Sequence, residues 1–350
     1  MRGGYKVRKW NIALALVLVL LLAGCSPGVE SSDGPAENQE TTQAQTVEPV
    51  KLTYALIAAS GSSSAEGAQD FIDKVSELSG GAITIEFFPD GVLGSESANQ
   101  SDLIAGSLDM AGLASSLANV IKGCNLFELP YIITDRSQID TLLEAGVFDD
   151  IKQEALDAGL VILGVNENGF RHITNNVKPI FLPEDLKDMK IRTPNNTLRM
   201  ETFKYLGANP TPMSLGELYQ GLSQGVVQGQ ENPLIQICGS RLYEVQKYLS
   251  LSYHIYSPGY MVMSKVTWDK LSEAQQNILL EAAEYEGKRS REKAVEQDEE
   301  LLQVIRDAGV EVNTVDIEAF QKAMMPLWDE FADTAGAELI DKAKQALGYE

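Results

Sequence analysis

The strongest constraint on the fold of this chain is an alternation of strand-like and helix-like segments. The alternation runs from residue 51 to residue 165 and begins again after Gly169. Ile83, Ile85 and Phe87 are separated by polar residues, which predicts a strand with one buried face. A later strand at 190–193 must stop at Pro194, because proline lacks the backbone N–H that a sheet needs. This order of elements predicts an α/β fold with a parallel or mixed sheet.

Two α/β units with polar loops between them predict two lobes and a hinge cleft. About 300 residues follow position 50, which is more than one hydrophobic core usually holds. In open α/β sheets, ligands bind beside the carboxyl ends of the strands. The segment from Ser272 to about Asp307 is helical in pattern, with a face dense in Glu, Lys and Arg. A helix of that length is expected to span both lobes.

The N-terminus predicts export. Four basic residues precede an apolar run at 12–22, which is too short to span a bilayer comfortably, and Leu22-Ala23-Gly24-Cys25 follows it. This arrangement resembles the lipobox of bacterial lipoproteins, which implies a signal peptide at 1–24 and a lipid on Cys25. An uncleaved anchor helix and an ordinary secretory signal are the alternatives. Residues 25–49 are rich in Ser, Glu, Gln and Thr and predict a flexible linker.

Composition excludes some classes of partner. The formal net charge is -22, and removal of residues 1–24, which carry four basic and no acidic residues, makes it -26. Nucleic acid is therefore not expected as a partner. The two remaining cysteines, Cys124 and Cys238, have no metal-ligand or CxxC spacing, and no cofactor motif is present. We expect both to be small buried residues, with a disulfide between the lobes as the alternative.

Arg192 is the strongest candidate for a ligand-binding residue. It lies on the short strand at 190–193, so its guanidinium is presented at a strand end. A planar fork of five donors suits a carboxylate better than a flexible lysine does. A surface salt bridge is the alternative. Asn232, in the polar turn predicted at 228–233, is placed at another strand end.

Several ordered motifs resemble those of the DctP-type solute-binding proteins of TRAP transporters, over essentially the whole chain from Lys51 onward. The segments that carry the resemblance are FRHITN at 170–175, PEDLKDMKIRTP at 183–194, GANPTPM at 207–213, GQENPL at 229–234, FELPY at 127–131 and HIYSP at 254–258.

The resemblance implies roles for three residues. Arg192 would pair with the substrate carboxylate, Arg171 would add a second positive contact, and Asn232 would donate a hydrogen bond to the ligand. It also implies a periplasmic-binding-protein-like fold of two discontinuous lobes with the long helix running across both.

We expect the first lobe to contain residues 50–169 and 258–297, and the second lobe 170–257 and 298–350. This division follows from the resemblance, which implies that the chain crosses between the lobes more than once.

Closure of the cleft would bring the Arg192 lobe against two segments of the first lobe. One is the loop 58–64, with Ala58 and Ser62 as candidate contacts, and the other is 114–116, with Ser115. Leu215 stands where an aromatic residue is common in the family. Because 113–116 is small and uncharged, sialic acid is disfavoured, while short carboxylates, dicarboxylates and sugar acids stay open. The implied partner is a membrane permease with one large and one small subunit.

Two other functions remain as alternatives. A ligand-binding sensor for a membrane signalling kinase would have the same binding body. An enzyme acting on a small carboxylate is disfavoured, because the chain has only two histidines, His172 and His254, and no nucleophile, zinc or phosphate-loop motif. No catalytic residue and no metal site are predicted.

Overall fold

A mixed β-sheet forms the centre of the protein, and the computed structural model describes residues 47–349. The strands of the described residues are β1 (Val50–Ala55), β2 (Ile83–Phe88), β3 (Met110–Leu113), β4 (Leu160–Asn175), β5 (Lys190–Thr193), β6 (Asn209–Pro212), β7 (Gly229–Pro233), β8 (Tyr248–Leu251), β9 (Tyr256–Ser264) and β10 (Glu311–Thr314). The predicted α/β class with a parallel or mixed sheet is confirmed.

Helices flank this sheet. They are α1 (Ser63–Ser79), α2 (Glu96–Ala105), α3 (Ser137–Glu144), α4 (Val147–Asp157), α5 (Thr197–Tyr205), α6 (Leu215–Ser223), α7 (Leu234–Gly239), α8 (Lys265–Trp268), α9 (Glu273–Asp307), α10 (Ile317–Met324), α11 (Leu327–Ala335) and α12 (Ala337–Leu347). Short 3-10 helices lie at Ser115–Asn119, Lys122–Glu128, Pro183–Leu186 and Leu242–Glu244.

Strand β4 joins two groups of strands. One strand group contains β1, β2, β3 and β9, and the other contains β5, β6, β7, β8 and β10. The order across the sheet is β2-β1-β3-β9-β4-β7-β5-β6, with β8 also paired to β4, and β10 to β8. Residues 160–170 of β4 pair antiparallel with β9, and residues 171–175 pair antiparallel with β7. The predicted restart after Gly169 is therefore a continuation of one strand of 16 residues. Gly169 has a φ of 111° next to a bulge at Glu167, so the strand changes partners without ending.

The predicted polar turn at 228–233 is also a strand, β7. Gln230, Glu231 and Asn232 are buried, and their side chains bind other buried groups instead of water. A buried polar strand is easily mistaken for a turn when the groups that bind its side chains are distant in the sequence. The prediction of a turn was wrong here for that reason.

Helix α9 confirms the predicted long helix. It has 35 residues, and a capping box at Ser272 and Gln275 begins it. It packs against α1, β4 and α7 and thus contacts both strand groups. The absence of a side chain at Gly287 permits this, since a Cβ there would lie 2.4 Å from the carbonyl oxygen of Val165.

The C-terminal helices differ from the predicted division of the chain. Residues 298–350 were expected in the second lobe, but Leu327, Phe331 and Leu339 of α11 and α12 share a hydrophobic core with Phe127 and Phe148. Helix α10 does pack with the β5 side of the molecule. The apolar period of a helix shows which face is buried and does not show against which partner, so the core that α11 and α12 share could not be read from their sequence.

Several sequence predictions concern residues outside the described part of the chain, namely the signal peptide at 1–24, the lipid on Cys25 and the linker up to residue 46. Among the described residues, no helix is long and apolar enough to span a membrane. The same residues contain no group of three or more His, Cys, Asp or Glu side chains suited to a metal ion. Cys124 is buried, as expected, and Cys238 is half-buried.

Glu286 on α9 generates a stability prediction. Its side chain is 3% exposed, and Oε2 has no hydrogen-bond partner in the described residues. Burial raises the pKa of this carboxyl to about 8 from 4.5. Between these two values the unfolded chain releases a proton that the folded chain keeps, so the wild-type protein loses stability as the pH rises. We expect Glu286→Gln to raise the free energy of unfolding by about 2–4 kcal/mol at pH 8 and by much less at pH 5.

Urea denaturation of both proteins at the two pH values measures this difference. Glu281→Gln, at an exposed position of the same helix, is the control and should change stability little at either pH. A difference for Glu286→Gln that does not vary with pH would contradict the assignment of a protonated buried carboxyl.

Candidate functional site

A cavity of about 690 Å³ lies where the loops after β3 and β5 face each other. Of the residues predicted from the sequence, the structure brings six to its wall: Arg192, Arg171, Asn232, Leu215, Ser115 and Ala58. Ser62 is not among the lining residues. It is the N-cap of α1, where its hydroxyl accepts a hydrogen bond from the N–H of Ala65 at 3.3 Å, and Ser64 lines the cavity instead.

Arg192 is a buried cation in this wall. It is the third residue of β5 and is 3% exposed. Its Nε donates to the carbonyl oxygen of Met213 at 2.8 Å, and no carboxylate of residues 47–349 lies within 4.0 Å of its guanidinium. Burial lowers its pKa to about 10, so it keeps its charge at neutral pH. A buried charge of this kind requires an opposite charge or strong hydrogen bonds.

Arg171, by contrast, is already paired. From β4 its Nε donates to Glu231 Oε2 at 2.5 Å, and its Nη2 donates to Glu231 Oε1 at 2.9 Å and to Asn232 Oδ1 at 3.0 Å. The register between β4 and β7, which sets His172 opposite Asn232, holds the two strands at this spacing. The fork of Arg171 therefore orients Glu231 and Asn232 as well as facing the cavity.

Asn232 is held from both ends of its amide. Its Nδ2 donates to Gln230 Oε1 at 2.5 Å while its Oδ1 accepts from Arg171. An amide nitrogen carries two hydrogens, so the second one remains for a group in the cavity.

A second pair of charges extends the cluster under the cavity. Arg199 of α5 donates from Nη1 to Glu231 Oε2 at 2.7 Å, and from Nε and Nη2 to Glu128 Oε2 at 2.9 and 2.6 Å. His254 Nε2 lies 3.2 Å from Glu231 Oε2. All four of these side chains are buried.

The charges of this cluster do not cancel. Burial alone would raise the pKa of the Glu231 carboxyl, but Arg171 and Arg199 overcome this and hold it well below its usual range. Burial lowers the pKa of His254, so its imidazole is neutral at pH 7. Arg171 and Arg199 are paired with Glu231 and with Glu128, whose pKa is raised by burial. Among the described residues, Arg192 is the guanidinium of this cluster that has no carboxylate within 4.0 Å.

Glu96 is a cavity residue that the sequence analysis missed. It begins α2, and its Oε1 accepts hydrogen bonds from the N–H groups of Ala114 at 2.5 Å and Ser116 at 3.1 Å and from the Ser116 hydroxyl at 2.8 Å. Segment 113–116 itself is uncharged, as the sequence shows, but Glu96 brings a carboxylate against it. A glutamate after the N-cap Ser95 is ordinary at a helix start, which is why the sequence did not mark it.

Arg199 was also missed, although the sequence carries a signal for it. An arginine in the first turn of a helix is disfavoured by the helix dipole. Its presence there indicates carboxylate partners, which the structure supplies in Glu128 and Glu231.

Comparison with known proteins shows a match over most of the described residues. The model of the family "bacterial extracellular solute-binding protein, family 7" (DctP) matches residues 54–334. The 2,3-diketo-L-gulonate-binding periplasmic protein YiaO of Escherichia coli is 36% identical over 73% of this chain and 79% of its own length. The sialic acid-binding periplasmic protein SiaP of Vibrio cholerae is 31% identical over 83% of this chain and 91% of its own.

Solved structures agree with these relatives. The sugar acid binding protein DctPAm of Advenella mimigardefordensis, in complex with galactonate, is 30% identical, with a TM-score of 0.82 over 86% of this chain and 99% of that one. A TRAP periplasmic solute-binding protein of a Sulfurospirillum species, with bound succinate, has a TM-score of 0.80 at 30% identity over 85% and 98% of the two chains. The predicted two-lobed binding-protein fold is confirmed by this similarity.

Proposed function

This chain belongs to family 7 of the bacterial extracellular solute-binding proteins and is an extracytoplasmic receptor of the TRAP transporter type, and on that premise we propose that its ligand is a hydroxylated monocarboxylate, such as a sugar acid. The unneutralised positive charge on buried Arg192 is the observation that carries the proposal. A carboxylate that accepts from the free face of this guanidinium completes the charge balance of the cluster.

Arg171 and Asn232 would complete the carboxylate site. Both line the cavity, and their mutual hydrogen bond fixes their orientation. A fixed amide and a second guanidinium add donors without bringing in flexible side chains, so little entropy is lost on binding.

Glu96 favours hydroxyl groups at the other end of the ligand. Its Oε1 is occupied by Ala114 and Ser116, and among the described residues its Oε2 makes no hydrogen bond. A free carboxylate oxygen accepts from a hydroxyl and repels a second carboxylate. A sugar acid therefore fits a cavity with Arg192 on one face and Glu96 on the other better than a dicarboxylate does.

We also propose that the protein acts by closure rather than by catalysis. The two histidines are buried, and burial lowers the pKa of both, that of His172 to about 3, so neither is placed to exchange protons at neutral pH. A ligand that contacts both faces of the cavity favours the closed form through its differential affinity. The closed form would then be the one that a membrane permease receives.

The division into lobes is proposed with one change from the sequence-based boundaries. Residues 50–169 and 258–297 form the first lobe together with α11 and α12, whose core is shared with Phe127 and Phe148. The second lobe contains 170–257 and α10.

The test of the carboxylate site is Arg192→Ala. We expect a thermal-shift screen of aldonates, uronates and succinate to identify at least one stabilising acid, and Arg192→Ala to weaken its binding by about 2–5 kcal/mol, because a charge-assisted pair in a closed site is lost. Isothermal titration calorimetry measures the loss. Arg306→Ala, at an exposed position of α9, should bind as the wild type does. Unchanged affinity in Arg192→Ala would rule out the role of this residue.

The test of ligand class is Glu96→Gln. A glutamine retains an oxygen for Ala114 and Ser116 while removing the negative charge. We expect succinate to bind about tenfold more tightly to the variant, a change of about 1.4 kcal/mol, and sugar acids to bind more weakly. Titration calorimetry with succinate and galactonate gives both values. A fall in affinity for both acids would contradict the repulsion of a second carboxylate.

The test of membrane attachment is Cys25→Ser. We propose that a lipid on Cys25 tethers the receptor through a flexible linker, because of the apolar run and the small residues before this cysteine. The substitution should move the protein from the membrane fraction to the soluble fraction and leave its ligand affinity unchanged. Retention of Cys25→Ser in the membrane fraction would assign the anchor to another segment.

A further inference from the structure

Two asparagine side chains form hydrogen bonds across the cavity. Asn196 Nδ2 donates to the carbonyl oxygen of Ser115 at 2.9 Å, and Asn119 Nδ2 donates to the carbonyl oxygen of Asn195 at 2.6 Å. Ser115 and Asn195 both line the cavity. Segment 115–119 follows β3 and segment 195–196 follows β5, so each bond joins one strand group to the other.

Asn196 also fixes the start of α5. Its Oδ1 accepts from the N–H of Arg199 at 2.8 Å, which is an N-cap interaction, and the residue is 1% exposed. The amide oxygen of Asn196 thus accepts a hydrogen bond within its own strand group, and its amide nitrogen donates one across the cavity. Since Arg199 contacts Glu231, Asn196 connects the cross-cavity bond to the buried charges beneath the site.

Both ends of these bonds lie beside a charge that faces the ligand. Glu96 holds the N–H groups on either side of Ser115, namely those of Ala114 and Ser116. On the opposite side, Asn195 and Asn196 follow Arg192 after a buried threonine and a proline, which leave little backbone freedom. A ligand placed between Arg192 and Glu96 therefore sets the distance between the two segments that the asparagines join.

We propose that Asn119 and Asn196 are positioning residues, whose hydrogen bonds across the cavity hold it closed over a bound acid without contacting the acid. We call these two hydrogen bonds the latch. This inference rests on the proposed function, because it assumes an acid that spans Arg192 and Glu96. In an open form the same amides and carbonyls would bind water, so each bond contributes a modest net stabilisation to the closed form. Such bonds slow dissociation more than they affect association, since the ligand binds before they form.

The first experiment measures galactonate kinetics by stopped flow in Asn119→Ala and in Asn196→Ser. Serine keeps the N-cap of α5 and is too short to reach Ser115. We expect dissociation to be about fivefold faster in each variant and about 30-fold faster in the double variant, with association within about twofold of wild type. Asn119 is exposed, so its substitution is not expected to disturb folding.

Asn209→Ala is the matched control. This exposed asparagine donates from Nδ2 to the carbonyl oxygen of Asp188 at 3.1 Å within one strand group, so it removes a bond of the same kind that does not cross the cavity. Its dissociation rate should equal that of the wild type. Wild-type dissociation rates in Asn119→Ala and Asn196→Ser, or an equal acceleration of dissociation by Asn209→Ala, would overturn the proposal.

The second experiment separates the latch from the choice of ligand. Spin labels at Ser76→Cys on α1 and Gln220→Cys on α6, both exposed positions, report the distance between the strand groups with and without galactonate. Cys25→Ser and Cys238→Ala remove the other accessible thiols.

We expect a closed population in the wild type and a smaller one in the double variant Asn119→Ala, Asn196→Ser. Absence of a closed population under both conditions, or an equal population in the variant, would overturn the latch. If the wild type closes but does not bind galactonate, the proposed ligand class is overturned. The spin-label distances in the wild type and the double variant would still test the latch in that case.

Discussion

The positive charge on Arg192 is the feature on which the proposed binding site depends, because it is buried and no carboxylate of the described residues lies within 4.0 Å of its guanidinium. Isolated, such a charge would destabilise the fold. It is tolerated here because Glu231 and the hydrogen bond to Met213 lie close by, while the cavity keeps one face of the guanidinium open. One face of the guanidinium is therefore accessible to a negatively charged group in the cavity.

The geometry of β4 explains how the charges under the cavity are held in place. One continuous strand pairs with β9 on one side of Gly169 and with β7 on the other, so Arg171 and the paired Glu231 are fixed by backbone register rather than by flexible loops. Helix α9 contacts α1 and α7 across the same boundary. Strand β4, which connects the two strand groups, therefore also carries Arg171, one of the charges under the cavity.

Local patterns in the sequence were enough to predict most of the elements and to select Arg192, which lines the cavity. Pro194 ends β5 and thereby places Arg192, and the apolar period from Ser272 onward gives α9. What the sequence could not supply was contact between distant segments. Glu96 looks like an ordinary helix-start residue until the fold brings it to Ala114, and the apolar faces of α11 and α12 do not reveal which core they join. The polar run in β7 was taken for a turn because its partner, Arg171, lies 60 residues away.

Selectivity in this site follows from having opposite charges on opposite faces. A guanidinium alone would accept any carboxylate, since the charge-assisted bond does not depend on the remainder of the ligand. The carboxylate of Glu96 adds a repulsive element, and discrimination between related ligands generally needs such an element as well as an attractive one. Glu96 also accepts hydrogen bonds from the N–H groups on either side of Ser115. A ligand that displaces the Glu96 carboxylate would therefore disturb Ser115, whose carbonyl oxygen accepts from Asn196. In the proposed mechanism, recognition of hydroxyl groups and closure of the cavity are linked through the Glu96 side chain, so an acid without hydroxyl groups at its far end would be both poorly bound and poorly enclosed.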